Sequence, residues 1–394
     1  MKKKKVAGAM MSFMLAAGVM AGCSAQGQGS SSSSGDSKTI KIGVNMELSG
    51  GVASYGQSLT DGFQLGVNEI NKKGINGSKI QIVKVDNKSD AAEATNAALK
   101  LISQDKVSAI VGPATSTDTK AEIQIATDNK VPVITPSGTA EDITVKDGKL
   151  NDFVFRTCFI DSFQGIVAAN FASKNLNLKN AAVLIDSSSD YSKGLSTAFK
   201  TQFKKNGGKV VSEEAYVAKD TDFHATLTRI KAANPDFIYL PGYYEEAGLI
   251  VKQAREIGFT GAIIGGDGWD SPKLVELAGT KALNNTYSTN HYSSQDTDQK
   301  VQDFVKAFKA EYSGKSPDTF NALGYDTAYM LADAIKRAGS SDPQKIQQAL
   351  AKTNDLKLVT GNLKLDKNHN PIKSAVILEY KDGQAQFKTK VNPE

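Results

Sequence analysis

The sequence predicts an α/β protein made of two doubly wound lobes, on three observations. From Thr39 onward, short apolar segments alternate with amphipathic ones, with few interruptions. The alternation runs through one block, then restarts after Phe155 and runs through a second. Finally, about 355 residues remain once the N-terminal segment is set aside, more than a single core usually serves. Strands that are apolar along their length, each followed by a helix, belong to parallel sheets covered on both faces.

The elements follow in order. Ile40–Met46 reads as a strand, Tyr55–Lys73 as a helix ended by Gly74, and Ile80–Asp86 as a strand. Ala91–Gln104 is helical, Ala109–Gly112 a buried strand, Thr119–Asn129 a helix, and Val131–Thr135 a strand. After Phe153–Phe155 the cycle restarts with a helix near Phe163–Asn175, a strand at Ala181–Ile185, a helix at Tyr191–Lys205 and a strand at Lys209–Tyr216. Phe223–Ala233, Phe237–Leu240, Glu245–Ile257 and Ala262–Gly265 continue the pattern. Each block thus holds four or five strands. The last third changes character: Val301–Tyr312, Phe320–Ala338 and Gln344–Ala351 are helices, and Ala375–Tyr380 with Gln386–Val391 reads as a hairpin around Asp382-Gly383. The chain is therefore expected to cross back to the first lobe near His291 and to return near Lys373. This gives residues 39–159 with 291–372 as lobe I and 160–290 with 373–394 as lobe II.

The N-terminus carries a different message. Lys2, Lys3, Lys4 and Lys5 precede an uncharged stretch from Val6 to Gly22, and Cys23 follows. A basic start, a short apolar run and small residues before a cleavage point describe a secretory signal over residues 1–22, not a spanning helix. Ala21-Gly22-Cys23 resembles the lipobox of bacterial lipoproteins, in which the cysteine is lipidated, although Met20 stands where Leu is usual. Residues 23–38, rich in Ser, Gly and Gln, read as a flexible tether. The folded part is thus expected outside the cytoplasm, held at a membrane by lipid.

Composition excludes several classes. The chain has 394 residues, 40% hydrophobic and 23% charged, an ordinary globular mixture. Its formal charge of +5 falls to +1 without the four signal lysines, since 43 basic residues then face 42 acidic ones. No basic run with interleaved aromatics points to nucleic acid. Only Cys23 and Cys158 are present, so a lipidated Cys23 leaves no internal disulfide, and Cys158 reads as a small buried side chain. The three histidines are scattered, and neither a Gly-x-Ser-x-Gly elbow nor a metal-spaced cluster occurs, which argues against an enzyme and gives no cofactor.

Ligands of open parallel sheets bind beyond the carboxyl ends of strands. Pro113-Ala-Thr-Ser-Thr-Asp118 and Pro136-Ser-Gly-Thr139 are hydroxyl-bearing turns at such ends, suited to an anion through backbone N–H groups and the Ser116 and Thr139 hydroxyls. In the second block, Asp267, flanked by glycines, is placed to balance an ammonium, and a cationic partner is expected for it. Tyr243 and Trp269 offer flat walls with polar tips. Tyr55 and Tyr191 occupy echoing helix starts, one per lobe, and are candidates for the cleft rim.

Taken together, Ile42-Gly43 to Ser54-Tyr55-Gly56, Asn68-Glu-Ile-Asn-Lys-Lys-Gly74, Ile134-Thr-Pro-Ser-Gly-Thr139, Gly265-Gly-Asp-Gly268 and Asn321-Ala-Leu-Gly-Tyr-Asp326 resemble the leucine/isoleucine/valine-binding proteins of ABC importers. The resemblance runs from about Ile40 to the C-terminus and implies the type I periplasmic binding fold: two Rossmann-like lobes, a three-strand hinge, and closure on a free amino acid. It implies that Ser116 and Thr139 hold the α-carboxylate, Ser137 contributes backbone atoms, Asp267 pairs with the ammonium, and Tyr55, Tyr191 and Tyr243 surround the side chain. Asp267 stands where the family has Glu, a methylene longer. The disulfide of some members is absent, with Ser89 and Thr115 near those places. The implied partners are a branched-chain amino acid and a membrane permease, with the protein acting as a monomer. Other small amino acids or amides, or a ligand sensor, are the alternatives.

Overall fold

The computed structural model describes residues 38–392; Cys23, the signal and nearly all of the tether lie outside them. The first lobe is built on a parallel sheet of order β2-β1-β3-β4-β7, formed by β1 (Lys38–Met46), β2 (Ser78–Asp86), β3 (Ala109–Val111), β4 (Val133–Thr135) and β7 (Val154–Arg156). A small hairpin, β5 (Val145–Lys146) with β6 (Lys149–Leu150), interrupts the approach to β7. The second sheet runs β16-β15-β12-β11-β10-β8-β9. Its parallel strands are β8 (Asn180–Asp186), β9 (Lys209–Tyr216), β10 (Phe237–Leu240), β11 (Ala262–Gly265) and β12 (Thr286–Asn290). The antiparallel edge is β15 (Ala375–Lys381) and β16 (Gln384–Val391).

The first sheet has the five strands expected, while the second reaches seven because the C-terminal hairpin joins it and because Thr286-Tyr-Ser-Thr-Asn290 is a strand that the sequence reading did not find. Its polar residues are all buried, so no apolar run announces it. Its partner across the antiparallel pairing is the hairpin expected from Asp382-Gly383, where Asp382 and Gly383 both have positive φ.

Helices α1 (Ala53–Lys73), α2 (Ala91–Ser103) and α3 (Ser116–Asp128) cover the first sheet. Ile40, Ile42, Val44 and Met46 turn one face of β1 into the main core, while Gly43 on the other face admits Leu101 of α2. The second lobe carries α4 (Asp161–Asn170), α5 (Asp190–Lys205), α6 (His224–Ala232), α7 (Tyr244–Glu256) and α8 (Pro272–Ala278). The chain then returns to the first lobe through α9 (Gln299–Glu311), α10 (Thr319–Ala338), α11 (Pro343–Leu350) and a short hairpin, β13 (Leu356–Leu358) with β14 (Gly361–Leu363). α10 begins in a capping box between Asp318 and Asn321 and packs closely on α1, where a Cβ at Gly62 would overlap the Asn321 backbone. The crossovers follow β7, follow β12 and precede β15. Among the described residues, no helix is long and apolar enough to span a membrane.

Candidate ligand-binding site between the lobes

The lobe I wall is made by the turns after β3 and β4. Thr115 caps α3 by accepting the Asp118 N–H, so the helix starts three residues before the expected Thr119. Ser116 is the first helical residue, and its hydroxyl oxygen accepts the backbone N–H groups of Thr139 (3.2 Å) and Ala140 (3.1 Å). Those bonds tie the two turns together and leave the hydroxyl proton of Ser116 free for an acceptor in the cleft. The Ser137 hydroxyl donates to the Ala114 carbonyl at 2.8 Å, a bond within the wall. The buried Arg156 guanidinium draws the Gly138 and Ala140 carbonyls to itself at 2.8 and 2.9 Å. Beneath the wall, Glu47 accepts the Ala114 and Thr115 N–H groups, and burial, with the Glu47 charge added, pushes the Asp118 carboxyl up to about 8.

Thr139 is fully buried and its hydroxyl has no partner. Beside it lies Asp161, the first residue of α4, whose N–H donates to the Thr139 carbonyl at 3.0 Å. The Asp161 side chain is buried, and neither oxygen is in a well-formed hydrogen bond among the described residues, the nearby Thr139 hydroxyl giving it only partial support. Burial pushes its carboxyl well above the usual range, the neighbouring Thr139 hydroxyl opposes this, and the Asp267 charge adds to it. Asp161 thus adjoins Thr139 of the lobe I wall and feels the Asp267 charge. It is the residue that the sequence reading missed most plainly, although it follows a strand end as the other candidates do.

Lobe II presents Asp267 just after β11. One oxygen accepts the Tyr191 hydroxyl at 2.8 Å and the Gln164 amide at 2.9 Å; the other is 2.9 Å from His291 Nε2. The Asp267 N–H donates to the Gln164 side-chain carbonyl at 2.8 Å. Asp267, expected to balance a ligand's ammonium, therefore also has partners within the protein. Gln164 and His291, invisible in sequence because they come from α4 and the second crossover, satisfy it already.

Aromatic rings line the space between. Tyr191 and Tyr243 stack at 5.2 Å with planes 6° apart. Tyr55 meets Tyr243 edge-on at 5.6 Å and stacks on Phe320 at 4.3 Å. Trp269 takes a different place: it is fully buried in the lobe II core, its indole N–H donates to the Leu240 carbonyl at 3.2 Å, and its ring fills the space over Gly265. The expected cleft wall is there a packing residue, because the short turn after Asp267 folds the indole back onto the sheet.

The lobes are closed on one another. The Ser54 and Ser271 hydroxyls are 2.7 Å apart, Tyr244 donates to the Gly51 carbonyl at 3.0 Å, and Lys120 of α3 pairs with Asp190 of α5 at 2.7 Å. A cavity of about 190 Å³ remains at the cleft mouth, with Thr115 and Asp118 on one side and Ser189 and Tyr243 on the other.

Residues 39–385 match the periplasmic binding protein family. A leucine-, isoleucine-, valine-, threonine- and alanine-binding protein of Pseudomonas aeruginosa is 33% identical over 329 residues, covering 83% of this chain and 86% of the relative. The chain belongs to the leucine/isoleucine/valine-binding protein family. Two solved members have the same type I periplasmic binding fold with a TM-score of 0.85: a leucine-binding protein of Thermotoga maritima and a branched-chain amino acid binding protein of Streptococcus pneumoniae in complex with isoleucine. They are 40% and 41% identical, and each match covers 90% of this chain with 99% and 100% of the relative. A Rhodopseudomonas palustris binding protein in complex with benzoate has a TM-score of 0.81 at 27% identity, covering 90% of this chain and 97% of that one. As a member of this transporter family, the protein is a substrate-binding protein and not an enzyme.

Proposed function

We propose that the protein captures a branched-chain aliphatic amino acid between its two lobes and delivers it to the permease of an ABC importer. The reading takes residues 39–159 with 291–372 as lobe I and 160–290 with 373–394 as lobe II. It takes Cys23 as the lipidated anchor that keeps the protein at the outer face of the membrane.

The observation that carries the ligand class is Asp161: a buried carboxyl with no well-formed hydrogen bond among the described residues and only the buried Thr139 hydroxyl close by to support it. Burial holds this carboxyl protonated and makes its ionisation costly without a cation, so the arrangement favours a ligand that brings a cation to one side and an anion to the other. The α-carboxylate accepts from the Ser116 and Thr139 hydroxyls, and the ammonium donates to Asp161 with the Asp267 charge behind it. Each charge-assisted bond contributes about 1.5–3 kcal/mol net. Tyr55, Tyr191, Tyr243 and Phe320 enclose the side chain, whose burial adds about 1.5–3 kcal/mol. That is enough to rank amino acids and too little to exclude neighbours such as Val. Contacts from both lobes make the ligand favour the closed form, which is the form a permease can recognise.

A second reading is suggested by the benzoate-binding relative and the stacked tyrosines. An aromatic carboxylate would leave Asp161 without a cation, which counts against it. Calorimetric titration of the ligand-stripped protein against the twenty amino acids and benzoate distinguishes the two. Tight binding of Leu, Ile or Val supports the proposal; binding of benzoate alone overturns it.

A further inference from the structure

We infer that His291 is a positioning residue of this site, holding the Asp267 carboxylate to the hinge and giving up a proton when the ligand's ammonium arrives. The inference rests on the amino-acid reading above. His291 lies just past β12, in the second crossover, with its side chain fully enclosed. Its Nε2 is 2.9 Å from Asp267 Oδ2. Its ring lies on Phe159 of the first crossover, with centroids 3.6 Å apart and planes 21° apart. Two residues before Phe159, the Thr157 carbonyl accepts Lys373 Nζ of the third crossover at 3.0 Å. Through His291, one cleft-facing carboxylate is thus joined to the segments that must move when the lobes open.

The hydrogen-bond network assigns the tautomer. With its proton on Nε2, the neutral imidazole donates to Asp267, while the buried Nδ1 has no partner among the described residues. A second proton on Nδ1 would create an imidazolium whose counter-charge is Asp267. Burial pushes the imidazole pKa down, Asp267 pulls it back up, and Lys373 lowers it again. Lys373 is itself pushed down to about 8 by burial. The other groups around the ring and Asp267 are Phe159, Gln164 and Tyr191, with Asp161 beyond and the buried Asp270 carboxyl, held by Asn290 at 2.9 Å, on the far side.

An ammonium seated between Asp161 and Asp267 takes a share of the Asp267 charge, so the imidazolium loses support. The His291 pKa is then lower in the complex than in the free protein. By linkage, affinity is full above the free-state pKa and falls with acidification until the bound-state pKa is passed, by at most about tenfold per pH unit. Over the falling range, binding releases a proton.

The test is calorimetric titration with L-leucine between about pH 5 and about pH 8 in buffers of different ionisation heat. Wild type is expected to bind more weakly at the acid end and to release a fraction of a proton there. His291→Gln keeps an amide donor toward Asp267 without a titrating group. It should release fewer protons than wild type and show a shallower loss of affinity on the acid side, the remainder belonging to Asp161, which still titrates. A variant that keeps the wild-type profile, or a wild type that releases no proton, overturns the inference. Should the Gln variant fail to fold, His291→Asn takes its place, because the wild-type proton count also contains any proton that the buried Asp161 carboxyl gives up to the ligand. A wild type that binds no amino acid at any pH overturns the underlying reading instead, and this inference with it.

Discussion

The Tyr55 hydroxyl spans the cleft, accepting the Tyr244 N–H at 3.2 Å and donating to the Gly268 carbonyl, both in the opposite lobe. Its ring meanwhile rests on Phe320 of its own lobe and meets Tyr244 edge-on at 5.0 Å. These bonds exist only when the lobes are together, so the residue rewards closure.

Tyr55→Phe keeps the ring and removes both bonds. Each contributes about 0.5–1.5 kcal/mol net, so leucine affinity should fall roughly five- to a hundredfold. The melting temperature without ligand should hardly change. Calorimetry gives the first value and thermal melts the second. Undiminished affinity would mean that the latch plays no part in binding.

Asp161 and Asp267 should respond differently to the same change. Asp161→Asn replaces a buried carboxyl that burial holds protonated with a neutral group of the same shape, so the ligand-free fold should be about as stable while leucine binding is lost. Asp267→Asn leaves one of the donors from Gln164, Tyr191 and His291 without an acceptor, which should destabilise the fold by about 1–3 kcal/mol. Chemical denaturation of the two variants beside wild type reads the difference. Equal destabilisation by both would contradict the assignment of roles.

The contrast between these residues marks what sequence could and could not give. Asp267 was legible because it follows a strand and sits between glycines, and the hydroxyl turns at Ser116 and Thr139 were legible for the same reason. Its partners were not: Gln164 lies over a hundred positions away on α4, and His291 reaches it only because Thr286–Asn290 adds a strand to the second sheet. That strand is polar throughout, so no hydrophobic period reveals it. Trp269 was misplaced because a strand-end rule fixes where a backbone emerges, not which way a short turn sends an indole. The alternation of strands and helices, in contrast, depends only on local pattern and was read nearly to the residue along β1, β9 and β10.

Stability should depend on pH through Asp118. Its folded pKa is about 8, against about 3.9 for an unperturbed Asp. A raised carboxyl pKa stabilises the fold at acid pH, and that contribution is lost as pH rises through the folded value. Asn imitates the protonated form, so Asp118→Asn should match wild type below about pH 4 and exceed it increasingly from there toward about pH 8. Thermal melts across this range give the difference, and a constant offset would remove Asp118 from the account.

Cys23→Ala should release the mature protein from the membrane fraction of cells, because one acyl-bearing residue is the only anchor proposed. Fractionation followed by immunodetection checks this. Continued membrane association would reject the lipobox.

The pairing of Asp161 with the ligand's ammonium is tested most directly by a cycle that varies both partners. Wild type and Asp161→Asn are each titrated with L-leucine and with 4-methylpentanoate, which keeps the carboxylate and side chain but lacks the ammonium. Wild type should prefer leucine by about a hundredfold or more, as expected for a desolvated charge pair, and Asp161→Asn should lose nearly all of that preference. A preference that survives the substitution intact would contradict the account.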